Sequence, residues 1–429
     1  MAFDNEPPQK AFVWIWLPGE TAPVVAGQIS VRGQSFDFNY GRSYLARDDA
    51  IAIYAPELPL RPGAIAPPPL SMAGALRDAA PDAWGRRVII NRLTGLRGAG
   101  AEAAALNELT FMLQSGSDRI GALDFQTSAT DYVPRERDGV PLETLLQSAD
   151  LVDRGVPLNR DLAEALQHGT AIGGARPKAL ITAAGRKYVA KFSTSNDTYN
   201  VVKAEYIAMR MAAQAGLNVA PVRMVRAMNK DVLLIERFDR APNSHNWTRR
   251  AMVSALTLFG LDELMAAHAS YEDLADIIRL RFTQPRATLK ELFRRLVFNI
   301  LVGNSDDHAR NHAAFWDGFR LTLTPAYDIC PQSRAGYEAS QAMRISGGER
   351  RSQLSICLRS AAKYHLSDEA ATILIQELID IVRQQYQPLC DEAGLSDVDR
   401  RFFWRRQFLN ALAFEGMEEV LSSQLEGLN

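Results

Sequence analysis

Short β-branched and aromatic runs broken by Pro and Gly open the chain. Phe12–Leu17, Gln28–Val31 and Phe36–Tyr40 predict the strands of a small antiparallel sheet. The segment from Pro56 to Pro69 ends in three consecutive prolines, which excludes regular helix and predicts an extended connector. Helical patterning follows at Met72–Leu93 and near Ala101–Gln114. From about Leu162 the character changes. Ala179–Thr182 and Lys187–Phe192 flank the turn Ala183-Ala184-Gly185-Arg186 as a β-hairpin, a helix follows at about Asn200–Gly216, and Val232–Glu236 is an apolar strand. Helices dominate from there to the C-terminus, with one more hairpin signature at Ala313–Thr324 around the favoured turn Asp317-Gly318. No internal repeat is visible. The pattern predicts an α+β chain with a β-rich N-terminal region, a mixed middle and a large helical C-terminal part, divided near 1–130, 131–240 and 241–429.

Composition adds limits. The chain has 429 residues, room for two or three domains, and its 47% apolar and 23% charged content is that of a globular protein. A net charge of −2 supplies no global drive toward nucleic acid or an anionic membrane. Cys330, Cys357 and Cys390 share no metal-ligand spacing, so they read as buried free thiols in a reducing cytosol. A polar N-terminus preceding the short apolar run Ala11–Leu17 is the wrong order for a signal peptide, and no stretch reaches the ~20 apolar residues of a membrane span. The expected location is cytoplasmic. Arg400–Arg406 interleaves basic and aromatic residues, as single-strand binders do. An amphipathic helix burying Phe402, Phe403 and Leu409 is the plainer reading.

Four elements occur in an order that phosphoryl transfer requires. Gly169-Thr170-Ala171-Ile172-Gly173-Gly174-Ala175 is a turn whose glycines let backbone N–H groups approach phosphate oxygens, although a tight turn without ligand has the same composition. Lys191 lies between Ala190 and Phe192 on an apolar strand, where an ammonium either grips an anion or snorkels from a sheet edge. Glu205, on the next helix, is either its partner or a solvated residue. The strand ending in Glu236-Arg237-Phe238 suits a hinge whose backbone pairs with adenine, or a plain core strand. The strongest element is Gly303-Asn304-Ser305-Asp306-Asp307-His308-Ala309-Arg310-Asn311, where Asp306 and Asn311 have the spacing of a kinase base and its metal-binding amide. Asp328 follows one hairpin later, where kinases place a second metal ligand; carboxylate and amide oxygens suit Mg²⁺. Capping side chains of a polar loop are the bland alternative for this cluster, and His308 reads as a hydrogen-bonded structural histidine.

At Gly173–Lys178, Tyr188–Phe192, Glu236–Arg240, Gly303–Asn311 and Pro325–Asp328 the chain resembles the HipA family of kinases, and Pro81–Arg86 and Asp118–Leu123 are similar to that family's N-terminal domain. The resemblance implies a protein-kinase-like bilobal fold with a β-rich N-terminal subdomain, using ATP and Mg²⁺. Asp306 is then the catalytic base, and Asn311 and Asp328 are the Mg²⁺ ligands. Ile172, Gly173, Gly174 and Ala175 cover the nucleotide phosphates with Lys178 behind them, Lys191 binds those phosphates, and Glu236 to Phe238 line the adenine. It further implies a serine/threonine kinase toxin paired with a small HipB-like helix-turn-helix antitoxin, contact with DNA only through that antitoxin, and a protein substrate such as an aminoacyl-tRNA synthetase. The alternative is a nucleotide-binding pseudokinase serving as co-repressor or scaffold. One departure stands out: where the family carries a serine that is autophosphorylated to inactivate the kinase, this chain has Ala171, with Thr170 beside it. A role for Thr170, regulation by a partner and an engineered substitution are all open at this stage.

Overall fold

A computed structural model describes residues 6–94, 106–136, 139–167, 169–194, 197–244, 246–333, 336 and 338–421. The chain divides into two compact units, Met1–Asn196 with Val225–Val253 and Phe315–Phe319, and Asp197–Met224 with Ser254–Ala314 and Arg320–Asn429. The first unit therefore takes in residues from all three of the expected domains.

In the first unit, strands β1 (Lys10–Ile15), β2 (Val24–Arg32), β3 (Ser35–Tyr40) and β4 (Leu123–Gln126) form an antiparallel sheet in the order β3-β2-β1-β4. The first three are the β-rich runs of the sequence. The proline segment stays irregular. The helical pattern at 72–93 is cut by Pro81 into Gly74–Arg77 and Ala83–Thr94, because proline removes a backbone donor. Of the pattern near 101–114, the described residues form the helix Glu108–Gln114, capped by Asn107 Oδ1, which accepts from Thr110 N; residues 101–105 lie outside the described ones.

A second sheet has the order β5-β6-β8-β7, from β5 (Lys178–Ala183), β6 (Arg186–Phe192), β7 (Val222–Ala227, entering this unit at Val225) and β8 (Lys230–Glu236). Strand alternation divides its residues between two faces. Ala179, Tyr188, Ala190, Phe192, Val232 and Leu234 pack with Trp84, Val88, Leu146 and Leu166 from the helices Ala83–Thr94, Leu142–Asp153 and Arg160–Gln167. The opposite face then carries Lys178, Leu180, Val189, Lys191, Leu233 and Ile235. A hairpin that the sequence pattern does not announce, Arg240–Asn243 with Asn246–Arg249, follows β8.

The second unit is built around the helix Pro285–Leu301, which begins with proline where a missing N–H costs nothing. Leu289, Leu292, Phe293, Leu296, Val297 and Ile300 are fully buried on it. The 25-residue helix Asp368–Glu392, capped by Ser367, packs against it with Ala371, Ile375, Leu378, Ile379 and Val382 at helical spacing. The predicted helix near 200–216 is Val201–Gln214, capped by Asn200. Short strands Ala313–Trp316 and Leu321–Leu323 realise the second hairpin signature. Arg400–Arg406 falls on the helix Asp397–Phe403 and the turn after it; Phe403 and Leu409 are buried, and Arg400 bonds to Asp391. All three cysteines are free and buried.

Candidate active site

In the first unit the glycine turn leads directly into β5. Lys178 stands opposite Lys191 in the β5–β6 register, and Lys191 stands opposite Leu233 in the β6–β8 register. Directly opposed residues of an antiparallel pair share a face of the sheet, so the two lysines belong to the same face. Lys178 is 1% exposed; its Nζ lies 3.4 Å from Asp82 Oδ2 and sits against Gly174, where a Cβ would come within 2.5 Å of it. Gly174 has φ +110°, so a side chain there is strained by the backbone, and Lys178 would have to shift to make room for it. Ile172 is buried, while Gly173, Gly174 and Ala175 are exposed. Thr170 is 1% exposed and its hydroxyl accepts from Gly116 N at 3.0 Å. In this conformation the hydroxyl is shielded from solvent.

At the end of β8, the Glu236 carboxylate meets Arg186, and the Phe238 ring stands edge-on to Phe315 with centroids 5.9 Å apart. Arg237, between them, turns into a buried ionic network. Asp118 accepts from Lys187 at 2.5 Å, from Arg237 at 3.0 Å and from Arg240 at 3.0 Å. Asp239 accepts from Arg237 and from Gly121 N, each at 2.8 Å. Burial alone pushes the Asp118 carboxyl pKa up, but the cations of Arg237, Arg240 and Lys187 outweigh it and hold the group well below its ordinary value. Thus the motifs Asp118–Leu123 and Glu236–Arg240, far apart in sequence, are one structural feature.

In the second unit the helix Pro285–Leu301 stops at Gly303, which has φ +72° and where a Cβ would lie 2.7 Å from the Gln407 carbonyl oxygen. The following loop is held by Asp307. Its Oδ2 accepts from Asn299 Nδ2 at 2.8 Å, bonds His312 Nε2 at 2.9 Å and takes the Tyr271 hydroxyl. Asp307, Tyr271 and Asn299 are all buried, and Asn304 bonds back to Asn299 at 3.0 Å. Burial raises the Asp307 pKa; the charge and hydrogen bond of His312 and the Tyr271 hydrogen bond overcome that, leaving it below the ordinary carboxylate value. The histidine hydrogen-bonded to this anchor is His312, whereas the expectation placed the structural histidine at His308. No local spacing distinguishes the two, because the acceptor is chosen by the fold.

With Asp307 turned inward, Asp306 is exposed. Asn311 is buried and its Nδ2 donates to the Asp306 carbonyl at 3.3 Å. The segment Pro325–Ile329 is pinned on both sides: Ala326 N donates to Asn218 O at 2.7 Å, and the Tyr327 hydroxyl donates to Arg310 O at 2.5 Å. Asp328, directly after them, adopts φ +59°, a left-handed conformation that Asp tolerates better than most residues and that concentrates at functional positions. The Asp306 pKa is raised, chiefly by loss of surrounding water; His308 opposes the shift, and repulsion from Asp328 and Asp307 adds to it. Among the described residues no three His, Cys, Asp or Glu side chains gather into a metal cluster. One carboxylate and one amide oxygen nonetheless fit Mg²⁺, which keeps much of its shell in water and phosphate oxygens. Lys191 and Glu205 belong to different units; Glu205 is 2% exposed on the helix Val201–Gln214.

The family model of the HipA-like C-terminal domain matches residues 170–386, just over half of the chain. The chain belongs to the HipA family. A second model, the HipA N-terminal domain, matches residues 15–126. The serine/threonine-protein kinase toxin HipA of Shewanella oneidensis is 26% identical over 182 residues, 37% of this chain and 42% of that protein. The putative kinase Y4mE of Sinorhizobium fredii is 28% identical over 130 residues, 29% of this chain and 31% of its own. The alignments thus span less than half the length of either relative. A chain from the Shewanella oneidensis complex of HipA, HipB and operator DNA superimposes with a TM-score of 0.65 over 97% of each chain at 18% identity, which establishes an α+β HipA fold here.

Proposed function

We propose that this HipA-family chain is an ATP- and Mg²⁺-dependent serine/threonine protein kinase, acting as the toxin of a toxin–antitoxin pair. The observation that carries the reading is the loop in which a buried Asp307 anchors the backbone while Asp306 stays exposed, with Asp328, whose charge repels that of Asp306, held in a left-handed conformation. Asp306 accepts the proton of a substrate hydroxyl as its oxygen attacks the γ-phosphorus; the bond to the β–γ bridging oxygen breaks and ADP leaves. Asn311 and Asp328 hold Mg²⁺, which when bound neutralises charge on the phosphates. Lys191 and Lys178 bind phosphate oxygens beneath the turn Ile172–Ala175, and Glu236 to Phe238 line the adenine. Sequence likeness to a serine/threonine-protein kinase toxin supports protein as the acceptor.

A helix-turn-helix antitoxin of the HipB kind is the proposed partner, supported by the HipA–HipB–operator DNA complex that shares this fold; DNA is then reached through the antitoxin. The proposed substrate is a translation component such as an aminoacyl-tRNA synthetase, and the proposed location is the cytoplasm. No helix among the described residues is long and apolar enough to cross a membrane. Calorimetric titration with ATP, with and without Mg²⁺, tests the ligand roles. Asp328→Ala should weaken binding about tenfold or more, the scale of a lost charge-assisted contact, and only when Mg²⁺ is present. Equal affinity for Mg-ATP in the native chain and the variant removes Asp328 from the metal.

A further inference from the structure

The motif Pro81-Asp82-Ala83-Trp84-Gly85-Arg86-Arg87, at the start of the helix Ala83–Thr94, has no part in the chemistry above, yet it touches the glycine turn at two points and Lys178 beyond it at two more. Trp84 Nε1 donates to the Lys178 carbonyl at 3.1 Å. Arg87 Nη2 donates to the Ala175 carbonyl at 2.5 Å. Gly85 packs so closely on the turn that a Cβ would lie 1.9 Å from the Thr170 carbonyl oxygen. Asp82 joins both parts: its Oδ1 accepts from Gly85 N at 3.2 Å, and its Oδ2 faces the Lys178 ammonium at 3.4 Å. The contacts reach from Thr170 to Lys178, the whole span from the turn to the first residue of β5.

The pattern exceeds what packing a helix on a sheet requires. Trp84 already supplies the apolar anchor in the core shared with Ala190 and Phe192. Arg87 is exposed and reaches Ala175 from over the Trp84 ring, 5.3 Å from its centroid. A carboxylate beside a buried lysine offsets the cost of keeping that ammonium charged and aims it. Gly174 lies directly over the same ammonium.

We propose that Asp82, Trp84 and Arg87 are positioning residues that clamp the glycine turn, with Asp82 orienting Lys178 so that turn and ammonium meet nucleotide phosphate together. The N-terminal domain is in this way a determinant of triphosphate affinity. The inference rests on the reading that Lys178 and the turn bind phosphate.

The test uses the full chain and three probes: ATP with Mg²⁺, adenosine, and amide hydrogen exchange of residues 169–178. Asp82→Asn keeps the shape and removes the charge. It should weaken ATP about tenfold or more, the scale of a hydrogen bond to a charged group, leave adenosine unchanged and speed exchange across the turn. Asp82→Glu should restore part of the ATP affinity. Unchanged ATP binding overturns the proposal, as does equal weakening of ATP and adenosine, which marks a merely structural role. Tighter ATP binding also overturns it, because Asp82 then competes with phosphate. Should Asp82→Asn fail to fold, Arg87→Ala at the exposed end serves instead: faster exchange at 173–176 with selective loss of ATP affinity supports the clamp, and native exchange with native affinity overturns it. Lys178→Met separates the two layers. If it leaves the ratio of ATP to adenosine affinity intact, the phosphate-binding reading has failed, while the exchange data still decide the clamp.

Discussion

Replacing Asp307 with Asn probes the anchor of the proposed catalytic loop at its most concentrated point. Three buried donors converge on one carboxylate: Tyr271 hydroxyl, Asn299 Nδ2 and His312 Nε2. Asn keeps the shape and one acceptor oxygen, but its NH₂ group cannot accept and the charge is gone. Hydrogen bonds to charged groups contribute about 1.5–3 kcal/mol each, so losing the ionic part of three gives a destabilisation of about 4 kcal/mol after local relaxation. At roughly 2–4 °C per kcal/mol for a unit of this size, melting should fall by about 10 °C. Scanning calorimetry on the full chain reads this directly, with Asp306→Asn as the neighbouring control, expected to shift melting by less than about 2 °C because Asp306 is exposed. The pH dependence carries a sign. The folded Asp307 pKa lies below its unfolded value, so its stabilisation is fully present above about pH 4 and disappears as the pH falls through the lower folded value. The gap between native and variant proteins should be flat near neutrality and close in acid. An Asp307→Asn protein melting within about 2 °C of the native chain at pH 7 refutes the anchor.

Other outcomes follow from the same contacts. Asp118→Asn leaves Arg237, Arg240 and Lys187 facing a neutral amide in the buried network, and urea unfolding should show a loss of about 3–5 kcal/mol; a loss below about 1 kcal/mol counts against the network. Gly85→Ala drives a Cβ into the Thr170 carbonyl, a backbone clash that side-chain rotation cannot relieve, and should cost at least about 1–3 kcal/mol in the same assay. Thr170→Val removes a buried hydroxyl that accepts from Gly116 N, at a cost of about 1 kcal/mol. It should not reduce any labelling of the chain by its own activity; abolished self-labelling on that change would show that Thr170 is an acceptor after all.

The parts of the molecule legible in the sequence are those governed by local periodicity and turn chemistry. The β5–β6 hairpin follows from the two apolar runs around the turn Ala183–Arg186, and the pairing extends past them to Ala183 with Arg186 and Lys178 with Lys191. The helix before the proposed catalytic loop ends where Gly303 demands a left-handed backbone, so the loop's place was readable as well. What local rules did not reach are contacts between distant segments. Asp118 and Arg237 are 119 positions apart, and Asp82 and Lys178 are 96 apart; each side chain alone resembles a surface residue. Nor could spacing choose His312 over His308, since Tyr271 and Asn299 define the anchor from other helices. Arg237 shows the same limit within one motif: its neighbours Glu236 and Phe238 stay half-buried while it is drawn into a buried ionic network.

The most direct test of the central claim is transfer of label from γ-labelled ATP with Mg²⁺ into proteins of a bacterial lysate, comparing the native chain with Asp306→Asn. The account predicts a labelled protein with the native chain, and label lower by orders of magnitude with the variant although both bind ATP alike. ATP binding without transfer by the native chain, or equal transfer by both proteins, contradicts it: the first leaves a nucleotide-binding scaffold, and the second removes Asp306 from the chemistry.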